Sequence, residues 1–469
     1  MKITKILITG GVVFIAVVLL AGFGCKKVDT TTTGAANQEA VELEYWRLWD
    51  DSTAFDDIIS EYEGSHPNIK INYHKMTVDE YENEVVTKLA AGEGPDVFSI
   101  HNTWVPRYID KISTMPDEGL VSYITVKSGC KTTTQKTQSQ QMTVQEYEDT
   151  FPDVAQTDFL GTTKDESAVS KNVILGIPLS IDTLALYYNK ELFNSASIAK
   201  PPATWVDFQN YVQDLTRKDI YGDLKISGAA IGTAENINRA VDIMYLLMLQ
   251  TGTKMVNDEK TEAVFDKPVQ DASGESIPTG LNALQFYTEF ANPKKVVETW
   301  NPKQDYSIDA FAKGTTAMMF NYSYKIAELE TKAPNLIYDI APVPQPTDIT
   351  AKVNYANYWG EVVAKNSDHQ VEAWDFLQFL AKKESQKKYL DATGRPAAHK
   401  DLIEEQLSDP VLGVFAKQTL SAKSWYQADN AGIENDFIKM IEDVVYNRAT
   451  LEESIHNAAT TVSELMKND

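Results

Sequence analysis

The chain has 469 residues, 43% of them hydrophobic and 10% aromatic, and carries a formal net charge of −24. That length exceeds one small core and makes two domains the expectation, while the apolar content argues against bulk disorder. The charge argues against nucleic acid, against broad attraction to anionic lipid and against a strongly anionic ligand, so a neutral, polar ligand fits best.

Cys25 and Cys130 are the two cysteines, and no C-x-x-C pair exists. The six histidines show no metal-ligand spacing, so neither a metal nor a cofactor is expected. The first residues are basic at Lys2 and Lys5, then apolar from Ile6 to Phe23, with Gly22 and Gly24 leading to Cys25. This leader resembles a lipoprotein signal peptide over residues 1–25, which implies lipid attachment at Cys25. It departs from the usual pattern in having Gly22 where Leu commonly stands. An uncleaved membrane span is the alternative, and both readings give an exported domain tethered to a membrane. Residues 26–38 have linker composition.

From residue 39 the pattern becomes β-α-β-α-β. Val41 to Trp49 reads as a strand, and Phe55, Ile58, Ile59 and Tyr62 fall at helical spacing. Ile69, Ile71 and Tyr73 alternate as a second strand. Thr77 and Glu80 have capping-box spacing ahead of Tyr81, Val85 and Leu89, Gly92 ends that helix, and Val97 to Ile100 is a short buried strand. Such a pattern predicts a mostly parallel sheet with ligands beyond the carboxyl ends of its strands. Two loops qualify there, one with Trp49, Asp50 and Asp51, the other with Asn102 and Trp104. An aromatic plane beside Asp or Asn suits a sugar, which presents an apolar face and a rim of hydroxyls. Plain helix capping by Asp50 or Asp51 and core packing of Trp104 are the alternatives.

Lys127 to Gln141 is a Thr/Gln/Lys-rich tract that reads as an exposed insertion. Thr143 to Val154 reads as a helix, and Phe159 to Ser170 as a loop. Gly176 to Lys190 then forms an apolar strand interrupted by Asp182, a carboxylate that needs a backbone donor, a cation or a ligand hydroxyl. Thr204 caps a helix bearing Phe208, Tyr211, Val212 and Leu215. Ile226 to Gly232 is a buried strand, with helices at 238–250 and 281–290 and a Gly turn at 314 leading into a strand.

Several stretches in order carry a family resemblance: "GEGPDVFSIHNTW", "GIPLSIDTLALYYNKELF" with "PPATWVDF", "FAKGTTAMMF" and "FLQFLAKKESQKKYLDATGRPAAHKDL". Together they resemble the sugar-binding family of extracellular solute-binding proteins of bacterial ABC importers, the maltose-binding-protein-like family. The resemblance implies an α/β, two-lobed, periplasmic-binding-protein-like fold (type II). Each lobe would be a mostly parallel doubly wound sheet flanked by helices, with three crossings. Lobe one would hold 39–155 and 352–396, and lobe two 156–351 and 397–469. By the same resemblance Asn321 and Tyr322, Trp359 and Gly360, and Trp425 face the cleft, with Gly360 letting the ligand approach the backbone. Arg395 is read as a hinge ion pair or a ligand contact.

No G-x-S-x-G elbow, Walker loop or G-x-G-x-x-G appears. The expectation is therefore a monomeric, non-enzymatic receptor that closes over a sugar and docks to permease subunits. A secreted glycan-active hydrolase with paired carboxylates, or a non-transport ligand-sensing receptor, is the alternative. A peptide, polyamine or glycerol-phosphate ligand stays open.

Overall fold

A computed structural model describes residues 39–128, 131–164, 170–271, 273–347 and 351–467. The expectations for the leader, Cys25 and Cys130 lie outside these residues. The described chain falls into a hairpin unit within 121–137 and a body formed by 39–120 with 138 onward. The hairpin pairs Val121–Ser128 with Lys131–Gln138. Among the described residues no helix is long and apolar enough to cross a membrane.

The strands of the body that place the site run in chain order as follows. First come β1 (Val41–Leu48), β2 (Ile69–Met76), β3 (Val97–His101), β4 (Ile177–Pro178), β5 (Asp182–Thr183) and β6 (Ala185–Asn189). Then follow β7 (Met318–Asn321), β8 (Tyr338–Ala341), β9 (Asn354–Asn357), β10 (Trp359–Val363) and β11 (Ala422–Lys423).

Two hydrophobic clusters fill the body. The first surrounds a sheet of order β2-β1-β3-β10-β4, in which β1, β2 and β3 are parallel. Helix α1 (Asp56–Ser65) turns Ile58 and Tyr62 into this core, and α2 (Val78–Ala91) turns in Tyr81, Val85 and Leu89. Gly92, at φ 71°, closes α2 in the left-handed conformation that only glycine adopts without cost. Thr77 does not cap the backbone of α2; its hydroxyl bonds the Glu80 carboxylate instead.

The second cluster surrounds the sheet β7-β6-β8. Here the expected parallel winding does not hold, because β6 is antiparallel to both neighbours. In the first sheet β10 likewise runs antiparallel to β3 and to β4. The cause is direction of entry. β6 and β10 start at a crossing and run away from it, whereas β3, β7 and β8 end toward it. In the first sheet the strands paired in parallel, β1, β2 and β3, are those joined by helical crossovers within one lobe.

Hydrophobic clustering also shifts the first crossing. Phe159 and the run from Val173 to Ile181 pack in the first cluster, and Leu184 is the first residue of the second. The crossing therefore falls at β5, not near 156. Residues 160–174, expected as a loop, form a hairpin of Leu160–Lys164 with Ser170–Ile174. The chain returns between Tyr355 in the second cluster and Ala356 in the first, within β9. Ala397, Leu402 and Ile403 belong to the first cluster, and Trp425 to the second. The strands at all three passages, β5, β9 and β11, pair side by side in one small sheet of order β11-β9-β5.

Candidate functional site

At the carboxyl end of β3, His101 stands directly opposite Trp359, the first residue of β10. The chain then bends into a short turn, Asn102–Trp104, that brings Trp104 back over both. The Trp104 and Trp359 ring centroids lie 5.0 Å apart at 74°, and His101 meets Trp359 at 5.5 Å and 77°. Tyr108 stacks behind Trp104 at 6.0 Å, and Tyr81 supports Trp359 at 6.1 Å. These edge-to-face and stacked contacts fix the rings as one aromatic corner on the first lobe. Burial pushes the His101 imidazole down to about 4, so it is neutral near pH 7, with Nδ1 against the Thr103 hydroxyl at 2.7 Å.

The facing wall is charged. Helix α3 (Ala240–Gln250) is apolar on every side except for Asp242, and it is entered through Arg239 in the left-handed region at φ 62°. Arg239 donates from Nε and Nη2 to the two Asp242 oxygens at 2.8 and 2.7 Å. The Tyr322 hydroxyl donates to the same carboxylate at 2.6 Å, and its ring stacks on Tyr324 at 5.7 Å. His101 and Asn357 from one side, and Arg239, Asp242, Asn430 and Glu434 from the other, line a single small cavity. Aromatic planes opposed to forked donors and carboxylates are the chemistry that binds a polyhydroxylated ring. Among the described residues no group of His, Cys, Asp and Glu is placed to hold a metal ion.

The sequence pattern of the bacterial extracellular solute-binding proteins matches residues 57–411. This chain belongs to that family. An ABC transporter extracellular-binding protein of Pyrococcus horikoshii, itself uncharacterised, is 20% identical over 471 residues, spanning 97% of this chain and 94% of that one. The sn-glycerol-3-phosphate-binding periplasmic protein of Escherichia coli K12 is 26% identical over 233 residues, 47% of this chain and 48% of that protein. A solved cyclo/maltodextrin-binding protein complexed with maltotetraose superposes with a TM-score of 0.68 at 16% identity, over 92% of this chain and 98% of that one. That likeness shows a shared fold.

In this solute-binding protein the sequence-expected residues part into three groups. Trp104 and Trp359 meet one another and both pack on His101, which lines the cavity. Trp49 lies at the same edge of the first sheet, half exposed, with its backbone at φ 71°. A bulky residue held in the left-handed region costs about 1–3 kcal/mol, a strain that clusters at functional sites.

A second group sits behind the cavity and holds it. Tyr322 is fully buried and acts through Asp242, while Asn321 donates to the Asn238 side chain at 3.0 Å. Trp425 is buried against Tyr245 at 5.2 Å. Asn102 donates to Asp158 at 2.9 Å. Asp182 is saturated by internal donors: Thr183 N–H at 2.8 Å, Ser323 N–H at 2.9 Å and the Ser323 hydroxyl at 2.6 Å. It thereby ties the first crossing to the end of β7 and leaves no oxygen for a ligand.

The third group leaves the cleft. Asp50 is buried in a network with Arg395 at 2.7 Å, Arg47 at 3.1 Å and the Tyr389 hydroxyl at 2.9 Å, so Arg395 is an ion-pair residue within the first lobe. Asp51 caps no backbone group and is an exposed partner of Lys75 at 2.7 Å. Gly360 corrects the expected backbone approach by a ligand. A Cβ there would stand 2.3 Å from the Phe159 ring, so glycine is required for core packing.

Sequence reading did not reach Arg239, Asp242, Asn357, Asn430 or Glu434 as site residues. One usable signal exists: Asp242 is the lone charge in the run Ala240-Val241-Asp242-Ile243-Met244-Tyr245, and a carboxylate in an apolar helix needs a cation or donor beside it.

Proposed function

We propose that this solute-binding protein captures a neutral sugar or oligosaccharide between its two lobes and presents it to the permease of an ABC importer, without catalysing a reaction. The observation that carries the reading is an aromatic corner in which Trp104 and Trp359 pack on His101, which itself shares one cavity with Arg239 and Asp242. Rings stack on the C–H faces of a sugar, and the polar wall orders its hydroxyls. The lobes of the proposal follow the two hydrophobic clusters, and closure occurs about the small sheet at the crossings, favoured by the ligand's better contacts in the closed form. Export, lipidation at Cys25 with residues 26–38 as a tether, and a monomeric working form complete the proposal.

The test is isothermal calorimetry and small-angle scattering of the protein with maltotetraose, mannobiose and tagatose, with product analysis of each mixture. A saccharide that binds without turnover and reduces the radius of gyration supports the reading. Trp104→Ala and Trp359→Ala should each weaken that binding by about tenfold or more while the fold is retained, the scale of one lost stacking contact. Accumulation of cleaved product would shift the assignment to a hydrolase, and a ligand-independent radius would remove the closure mechanism.

A further inference from the structure

Glu434 stands just past the first turn of α4 (Asn430–Val445) and lines the cavity, yet it forms no hydrogen bond or ion pair with any described residue. Its charged neighbours are Arg239 and Asp242. Arg239 forks two of its donors onto Asp242 and makes no hydrogen bond to Glu434. With His101 neutral, the cavity holds one cation and two carboxylates, one of them uncommitted.

We infer that Glu434 is a specificity-determining residue of the cleft, whose free carboxylate accepts hydrogen bonds from ligand hydroxyls and turns away phosphate-bearing ligands. The inference rests on the cleft being the ligand site, and it adds a sign to that site. A carboxylate partly withdrawn from water loses solvation, and no hydrogen bond from the described residues replaces it at Glu434. A ligand that donates two hydroxyls restores those bonds, and hydrogen bonds to a charged group are among the stronger ones. A phosphate in the same place meets a like charge in a medium less screening than water, and the charge of the neighbouring guanidinium is already offset by Asp242. Burial lifts the Glu434 carboxyl above its usual range and Arg239 only partly offsets this, which fits a group held without a close partner. The resemblance to the glycerol-phosphate-binding relative therefore does not extend to its ligand.

Wild-type protein, Glu434→Gln and Glu434→Lys are titrated calorimetrically with maltotetraose and with sn-glycerol 3-phosphate, thermal unfolding confirming that each variant is folded. Wild type is expected to prefer the saccharide. Glu434→Gln should move the saccharide-to-phosphate affinity ratio toward phosphate by about tenfold, and Glu434→Lys further, the scale of one removed like-charge contact.

A second readout needs no cognate ligand. Quenching of tryptophan fluorescence by iodide, relative to uncharged acrylamide, should rise from wild type to Glu434→Gln and again to Glu434→Lys, because Trp104 and Trp359 pack on His101, which lines this cavity with Glu434. Wild type binding the phosphate as tightly as the saccharide, or an iodide-to-acrylamide ratio unmoved by both substitutions, overturns the inference. If wild type binds neither probe, the saccharide reading loses its support for these ligands, and the quenching ratio alone decides the role of Glu434.

Discussion

One charge cluster lies inside the first lobe and another lines the cavity from the second, and they differ in whether they close. In the first lobe Glu361, Arg47, Asp50 and Arg395 alternate in sign, and Ser99 and Tyr389 fill further bonding positions. Each charge there has a partner of opposite sign within 3.1 Å. In the second lobe Arg239 and Asp242 satisfy one another and Glu434 is left over. A closed network has bonding capacity only for itself and specifies structure. An open one keeps capacity for something from outside. The same residue types thus play opposite parts, and the pairing decides which.

The comparison breaks most strongly at Arg47. Arg47→Met leaves Glu361, fully buried, without its cation, and should cost about 3–5 kcal/mol in denaturant unfolding while ligand affinity of the folded fraction is unchanged. A stability loss under 1 kcal/mol would show that the network is not closed in the sense argued.

pH separates the charge-paired Asp50 from two buried carboxyls held by neutral donors, Asp158 and Asp182. Burial pushes Asp158 and Asp182 up to about 6, and their donors offset this only in part. A carboxyl raised in the folded state binds its proton more tightly than in the unfolded chain. Its contribution is therefore fully present below about pH 4 and is lost as pH rises toward 6, on the order of 2 kcal/mol each. Asp50 has the reverse sign: Arg47 and Arg395 overcome its burial and hold it below the ordinary range, so its contribution is lost only as the solution becomes strongly acid. The stability difference between wild type and the Asp158→Asn/Asp182→Asn double variant should change over pH 4–6; a parallel pair of curves would contradict the assignment.

Gly360→Ala should cost about 1–3 kcal/mol through overpacking against Phe159, with partial recovery in combination with Phe159→Leu. Full stability of the single variant would reopen the site to a ligand role. The smallest effect belongs to Lys75→Ala, which removes the exposed partner of Asp51 and should stay within about 0.5 kcal/mol. A larger loss would move Asp51 out of the solvated surface.

How much of this was legible depends on the range of the signal. Phe55, Ile58 and Tyr62, or Tyr81, Val85 and Leu89, announce a buried helix face within a few residues, and the structure buries all six. The Gly92 stop and the Thr204 cap are equally local. Strand direction in the second sheet was not legible, because it depends on where the chain enters from the other lobe. Gly360 shows the limit at one residue: its neighbour Trp359 packs on the cavity residue His101, but the reason for glycine is a phenyl ring 201 positions earlier in the chain. Glu434 sits in an amphipathic helix where an acid reads as ordinary surface. It becomes a candidate only when the crossings bring positions 101, 239, 357 and 434 around one space.

The three connections paired as β5, β9 and β11 share a single patch of backbone, so bending there swings whole sheets while few torsions change. Displacement then grows with distance from that patch and is greatest at the far rims. Two fluorophores attached at those rims would convert capture of a ligand into a change in energy transfer, leaving the recognition chemistry untouched, and the protein becomes a sensor by virtue of its axle.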